Sequence, residues 1–373
     1  MIPPEYLSVR FIRLFKFSYL LFYYITMKKI LIFCFLLSML FLSRFADSQC
    51  ACCSSIGCGD NSGGSSSLVK KGKILFNITS RYSSFKPLSN SQLVQDANND
   101  TSFSVYNKSY QLTYTFSLTY GISNRFNVSV TLPYNSISNL ETASPGENSV
   151  NNLGTSRGIS NVKTSLQFVL LQRKCCNGWE LVPTLGIIAP TGVHNNIARD
   201  GSIFDDQFQP GADSWVPVAG VAFDKMFSKL TIRGVYTYVF QYTDKMGNVD
   251  AALWNADLSG YIPLLKSGGC KKMAGDTENS NTMNCSPAKF VLNFFSGIQL
   301  EHIGRDIVAY DNGAKVYNSN TGALRTYISS GFVANIKQQL FIPISIAAPV
   351  YQLNNGYQAE LKWRLNAGVS YLF

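Results

Sequence analysis

Tyr110-Gln111-Leu112-Thr113-Tyr114-Thr115-Phe116-Ser117-Leu118-Thr119-Tyr120 is the stretch on which the fold turns. Aromatic and aliphatic side chains take every second position, and Gln, Thr or Ser fill the places between. Successive side chains of a strand point to opposite faces, so the segment predicts a strand with one apolar and one polar side. The chain ends in the same way. Ala359, Leu361, Trp363, Leu365, Ala367, Val369, Tyr371 and Phe373 alternate with Glu360, Lys362, Arg364, Asn366, Gly368 and Ser370. One face of a soluble sheet rarely carries so many large apolar groups in a row. A strand that crosses a bilayer needs about 9–11 tilted residues with aromatic rings near both interfaces.

Twelve segments share this period: about 72–82, 109–120, 125–134, 160–171, 179–190, 214–223, 229–242, 251–262, 289–302, 323–333, 339–349 and 357–373. No helix-period segment of useful length is apparent after residue 49. The connections at 121–124, 172–178, 224–228, 263–288 and 334–338 are short apart from one. Those at 83–108, 135–159, 191–213, 243–250, 303–322 and 350–356 are mostly long and rich in Asn, Ser, Gly and Asp. Lipid offers no hydrogen-bond partner to a free strand edge, so a spanning sheet must close on itself. The expectation is therefore an all-β fold: a closed antiparallel transmembrane β-barrel of about 12 strands, with short periplasmic turns and longer outer loops.

Composition agrees. Of the 373 residues only 14% are charged and 13% are aromatic, against about 25% charged in an ordinary soluble domain. Mean hydropathy is near zero, at +0.04, as expected when an apolar outer face averages with a polar interior. Met27-Lys28-Lys29, the apolar run Ile30–Leu42 and Ala46-Asp47-Ser48 form an export signal cut before Gln49. Residues 1–48 are read as that signal with a mis-called upstream start, Met27 being the true one. Residues 49–70 are read as a Cys/Ser/Gly-rich periplasmic tail, able to enter the lumen or lie below it, and 71–373 as the barrel. Removing the six Lys/Arg and two acids of 1–48 from totals of 32 and 22 leaves 26 and 20, a net charge of +6. No Lys/Arg cluster interleaved with aromatics remains, so nucleic acid is not an expected partner.

Several phrases resemble the family of outer-membrane transporters named for the MetA pathway of phenol degradation. They are Tyr120-Gly121-Ile122-Ser123-Asn124-Arg125-Phe126 running on to Pro133-Tyr134, then Pro190-Thr191-Gly192, Asn320-Thr321-Gly322, and Pro349-Val350-Tyr351-Gln352-Leu353-Asn354-Asn355-Gly356-Tyr357-Gln358. Together they span most of residues 105–373. The resemblance implies a barrel that passes small, often apolar or aromatic molecules. It does not extend to the Cys-rich N-terminal segment. The terminal aromatic Phe373 resembles the signal by which the barrel assembly machinery recognises outer-membrane proteins.

Function is therefore expected to lie in a bacterial outer membrane, with tail and C-terminus periplasmic, as passive uptake or export of small molecules. Eight strands enclose an interior just filled by side chains and 16–18 leave an open channel, so twelve should leave a narrow lumen. Lys163, Arg233, Glu301, Lys362 and Arg364 fall on the polar phase of their strands and are the expected pore-lining charges. Eight cysteines remain after export, all on the expected periplasmic side. Cys270 and Cys285 are read as a disulfide within the one long turn. Cys50, Cys52, Cys53, Cys58, Cys175 and Cys176 are read as disulfides tying the tail to the turn, or as a soft-metal thiolate site. No other cofactor is expected. The alternatives are a barrel-anchored metal or redox module using those cysteines, and an outer-rim hydrolase using His194 with Asp200 or Asp205. His302 next to Glu301 is read as interfacial. No Gly-x-Ser-x-Gly elbow, phosphate loop or His-Glu-x-x-His segment is present.

Overall fold

The computed structural model describes residues 69–99, 102–171, 178–227, 230–267, 270–271, 284–285, 289–310 and 312–373. The export signal, most of the tail, and Cys50, Cys52, Cys53, Cys58, Cys175 and Cys176 lie outside them. Twelve strands form the wall: β1 Ile74–Lys86, β2 Tyr110–Gly121, β3 Phe126–Ala143, β4 Lys163–Phe168, β5 Gly178–Ile188, β6 Val216–Met226, β7 Thr231–Val239, β8 Leu253–Ser267, β9 Phe290–Ile303, β10 Ala323–Ile336, β11 Leu340–Asn354 and β12 Glu360–Leu372. Each pairs antiparallel with its neighbours in sequence. The sheet closes where β1 meets β12, from Leu75 opposite Leu372 to Lys86 opposite Glu360. No edge is left for lipid to strip. Among the described residues no helix is long and apolar enough to cross a membrane.

Alternation puts Tyr114, Phe116, Leu118 and Tyr120 on the outside and buries Thr119 inside, where its hydroxyl donates to Ser129 Oγ at 3.0 Å. A row of apolar partners crosses neighbouring strands at this level: Val369, Ile78, Phe116 and Leu132. Opposite them the inner face carries Asn77, Ser117, Ser129, Ser165, Asn293, Asn335, Ser345, Asn366 and Ser370. A core of this kind is polar by construction.

The short connections close as tight turns. Ser123 Oγ accepts the Arg125 and Phe126 amides, both at 3.1 Å, which fixes the β2–β3 hairpin. Lys337 and Gln338 both take positive φ, 53° and 59°, in the three-residue turn between Ile336 and Leu340, which the Gln339 amide closes by donating to the Ile336 carbonyl at 3.1 Å. At the same end Cys270 stands opposite Cys285 in a small antiparallel ladder.

At the other end the loops are more ordered than their composition suggests. The connection read as 135–159 is largely a hairpin, because β3 runs on to Ala143 and pairs with the strand Asn151–Ile159. Ile137, Leu140 and Leu153 of this hairpin pack with Ala198, Phe204 and Phe208 of the next loop. The 83–108 connection holds a helix, α1 Asn90–Asn99, which corrects the expectation of none after residue 49. Only Leu93 and Ala97 of α1 are buried, a four-residue spacing too sparse to read as a period. Ser89 Oγ caps it by accepting the Gln92 amide at 3.3 Å. Tyr242–Thr243, Val249–Asp250, Ile307–Ala309 and Lys315–Tyr317 form a separate four-stranded sheet.

The C-terminal strand also departs from strict alternation. A bulge leaves Trp363 opposite Ser84 but Leu361 opposite Phe85. Ala359 and Leu361, expected on the lipid face, are instead buried with Phe85, Tyr327 and Ala347. A one-residue slip exchanges the two faces of a strand.

Candidate functional site: a charged constriction under an acidic vestibule

Glu301 on β9 points inward and is 8% exposed. Its cross-strand partner on β10 is Arg325, whose Nη1 donates to Oε1 at 3.2 Å. Tyr327, two residues along the same face, donates its hydroxyl to Oε1 at 2.9 Å. Arg364 comes from β12, three strands away, or about 14 Å along the wall at 4.8 Å per strand. Its Nη1 reaches Oε2 at 3.0 Å and its Nη2 reaches Oε1 at 3.2 Å. These groups therefore converge over the inner face of one quarter of the wall, β9 to β12. Small neighbours make the reach feasible, since Arg364 is flanked in register by Ser83 and Ala347. Its guanidinium also lies 4.5 Å from the centre of the Tyr327 ring.

Below this knot a cavity of about 80 Å³ is lined by Arg81, Asn255, Asp257, Ser259, Tyr261, Phe295, Glu301, Tyr327 and Arg364. A water needs roughly 10–15 Å³ of such space, so the cavity has room for a few. A second pair, Arg233 Nε to Asp224 Oδ1 at 2.8 Å, is almost wholly buried on β7 and β6. Glu180 on β5 stands opposite Asp224.

Of the charges expected inside, the structure brings Glu301 and Arg364 together and pairs Arg233 with Asp224. Lys163 opens β4, opposite Thr131 and Ile188, and is half-buried. Lys362 is exposed at the β12 bulge and stands apart from Arg364, because the slip ends the phase the two would share. Arg325, Tyr327 and Lys108 were not singled out by sequence reading. Arg325 was legible as the residue facing Glu301 once the β9–β10 register is known; Lys108 sits in a connection, where alternation says nothing.

Lys108, just ahead of β2, places its ammonium 4.5 Å from the Phe85 ring. Burial, then the nearby Arg325 and Arg364 guanidiniums, push its pKa down to about 8, against the pull of Glu301.

Among the loops lies a cavity of about 500 Å³, lined in part by Tyr106, Asp205, Asp206, Asp250, Asp306 and Tyr310. Tyr106 donates its hydroxyl to Asp205. Burial, a hydrogen bond with Asp244 and the charges of Asp250, Asp244 and Asp205 push Asp206 up to about 7. Burial and the charges of Asp306, Asp244 and Asp213 push Asp250 up to about 6, although a Tyr242 hydrogen bond opposes them. A carboxyl with a raised pKa holds its proton better in the packed loops than in loosened ones, so the packed state loses stability as pH rises from the ordinary carboxylate range toward 7. Digestion with papain at pH 5 and pH 8 is expected to cut the 200–210 loop faster at pH 8. Asp206→Asn should reduce that difference, and equal cutting of the parent chain at both pH values contradicts the assignment.

His194 does not assemble a hydrolytic set with the acids proposed for it. Its Nδ1 lies 3.3 Å from the Gly192 carbonyl, while Asp200 accepts from Ser202 and Asp205 from Tyr106. His302 stacks on Trp254 on the outer face, ring centres 5.4 Å apart. Among the described residues no group of three or more His, Cys, Asp or Glu is placed to hold a metal.

No protein-family model matches the chain, and no curated protein does. The fold does have solved counterparts. The COG4313 outer membrane channel from Pseudomonas putida F1 superposes with a TM-score of 0.55 at 13% identity, over 83% of this chain and 98% of that one. The β domain of the Bordetella autotransporter BrkA gives 0.40 at 12%, over 82% and 100%. A TodX monoaromatic hydrocarbon channel variant gives 0.39 at 11%, over 81% and 90%. What the first of these shows is a common architecture: the chain is built as the same kind of closed antiparallel β-barrel.

Proposed function

We propose that the chain is an outer-membrane channel through which small molecules cross passively, with its short turns and the exposed terminal Phe373 at the periplasmic end. The observation that carries this reading is the interior. Twelve strands enclose more space than the eight whose side chains just fill the interior, and here that space is lined by hydroxyls, amides and charges that narrow to the Glu301 knot. Two things support it: the barrel shared with a protein described as an outer membrane channel, and the resemblance to MetA-pathway transporters, which favours cargo with a small apolar or aromatic body. On this reading Phe373, whose amide bonds the Ile74 carbonyl at 2.9 Å beside the β1–β12 seam, is the mark the assembly machinery reads.

Purified protein in liposomes is expected to let small neutral solutes such as arabinose in, seen as swelling, and to exclude a trisaccharide such as raffinose. Vesicles that swell no faster than protein-free ones for every small solute would end the proposal.

A further inference from the structure

Charge is out of balance at the constriction. Three cations, Arg325, Arg364 and Lys108, surround one carboxylate, Glu301. Arg81 and Asp257 line the cavity below and offset one another, so these six groups carry a net charge of +2. The bonding is out of balance as well. The Nε atoms of Arg325 and Arg364 are buried with no acceptor, and the side chains carrying them are only 9% and 12% exposed. No carboxylate comes within ion-pair distance of Lys108 among the described residues; its ammonium faces the Phe85 ring. A guanidinium N–H withdrawn from water without an acceptor costs free energy, and excess buried charge costs more. Both costs vanish if an anion enters.

The surroundings define which anion. The terminal nitrogens are already engaged by Glu301 and Asn354, so each guanidinium offers its Nε–H to an incoming carboxylate as one charge-assisted bond. Beside them lie the Tyr327, Tyr261 and Phe295 rings on the cavity wall and Phe85 under Lys108, surfaces suited to an apolar body. We infer that the constriction is an anion site whose cargo is a small monocarboxylate with an apolar or aromatic body, held by Arg325, Arg364 and Lys108. This deepens the channel reading and rests on it for the word cargo, but the binding itself does not need transport.

Isothermal titration of the full-length protein in detergent with sodium benzoate, in a sulfate buffer at pH 7, tests the site directly. Saturable binding is expected. Lys108→Met, a change outside the barrel strands, is expected to weaken it about tenfold or more, the loss of one charge-assisted contact. Arg364→Gln should weaken it further if that variant folds. A parallel titration with sodium chloride separates a carboxylate site from a simple counter-ion site. Binding of chloride but not benzoate would overturn the proposal, as would no binding at all, or equal affinity in Lys108→Met. Benzoate binding without solute permeation in liposomes would instead remove the channel reading and leave the site standing.

Discussion

Glu301→Ala is expected to destabilise the folded barrel by about 3–5 kcal/mol. The carboxylate accepts four hydrogen bonds: Arg325, Tyr327 and both terminal nitrogens of Arg364 converge on it. Removing it leaves two buried guanidiniums facing each other and a buried phenol without an acceptor. Such a loss exceeds the worth of the pair, since the cost comes from stranding its partners. The control is Glu301→Ala combined with Arg364→Met, which removes one stranded charge and should recover part of the loss through the coupling of neighbours. Urea unfolding in lipid vesicles measures both. A single variant as stable as the parent would show that these side chains do not converge on Glu301.

Phe116→Arg is the second large effect, at about 2–4 kcal/mol. Phe116 is 40% exposed at the middle of β2, level with Ile78 and Leu132. A charge there sits in hydrocarbon with no route to water. Thr115→Arg, one residue away, turns into the polar interior beside Thr79 and Pro133, and should cost far less. The contrast between adjacent positions is the informative quantity, because it separates a membrane face from a general intolerance of bulk at this point in the strand. Equal costs would contradict the assignment of faces.

Much of the barrel was legible in the chain because period-2 alternation is a strong signal when one face must dissolve in lipid. All twelve segments became strands, and the β2 stretch 110–120 faces as its alternation demands. Boundaries were less legible. The 160–171 segment contracts to Lys163–Phe168, whereas β3 and β8 continue past the expected ends at 134 and 262. Hydrogen bonding extends a ladder wherever a partner is available, whatever the hydropathy of the residues. Leu361 and Lys362 were misplaced for a different reason: a bulge is a property of two strands in register, and neither strand alone announces it. The long loops hid α1 and the four-stranded sheet because each is short and held by residues drawn from distant connections. At the site, Glu301 and Arg364 were accessible from phase alone, but their meeting was not. It depends on the register of four neighbouring strands and on the small residue, Ala347, over which Arg364 reaches. Arg325 needed only the β9–β10 register, which pairs it with Glu301, while Lys108 has no strand phase to read.

The alternation itself is best tested by placing a single tryptophan at each position from 113 to 120, with the four native tryptophans replaced by phenylalanine. In vesicles, brominated lipid should quench 114, 116, 118 and 120, and aqueous acrylamide should reach 113, 115, 117 and 119 in preference. A two-residue rhythm of opposite phase for the two quenchers is the predicted result. Quenching that rises and falls smoothly along the stretch, or is alike at neighbouring positions, would contradict a wall with lipid on one side and a polar lumen on the other.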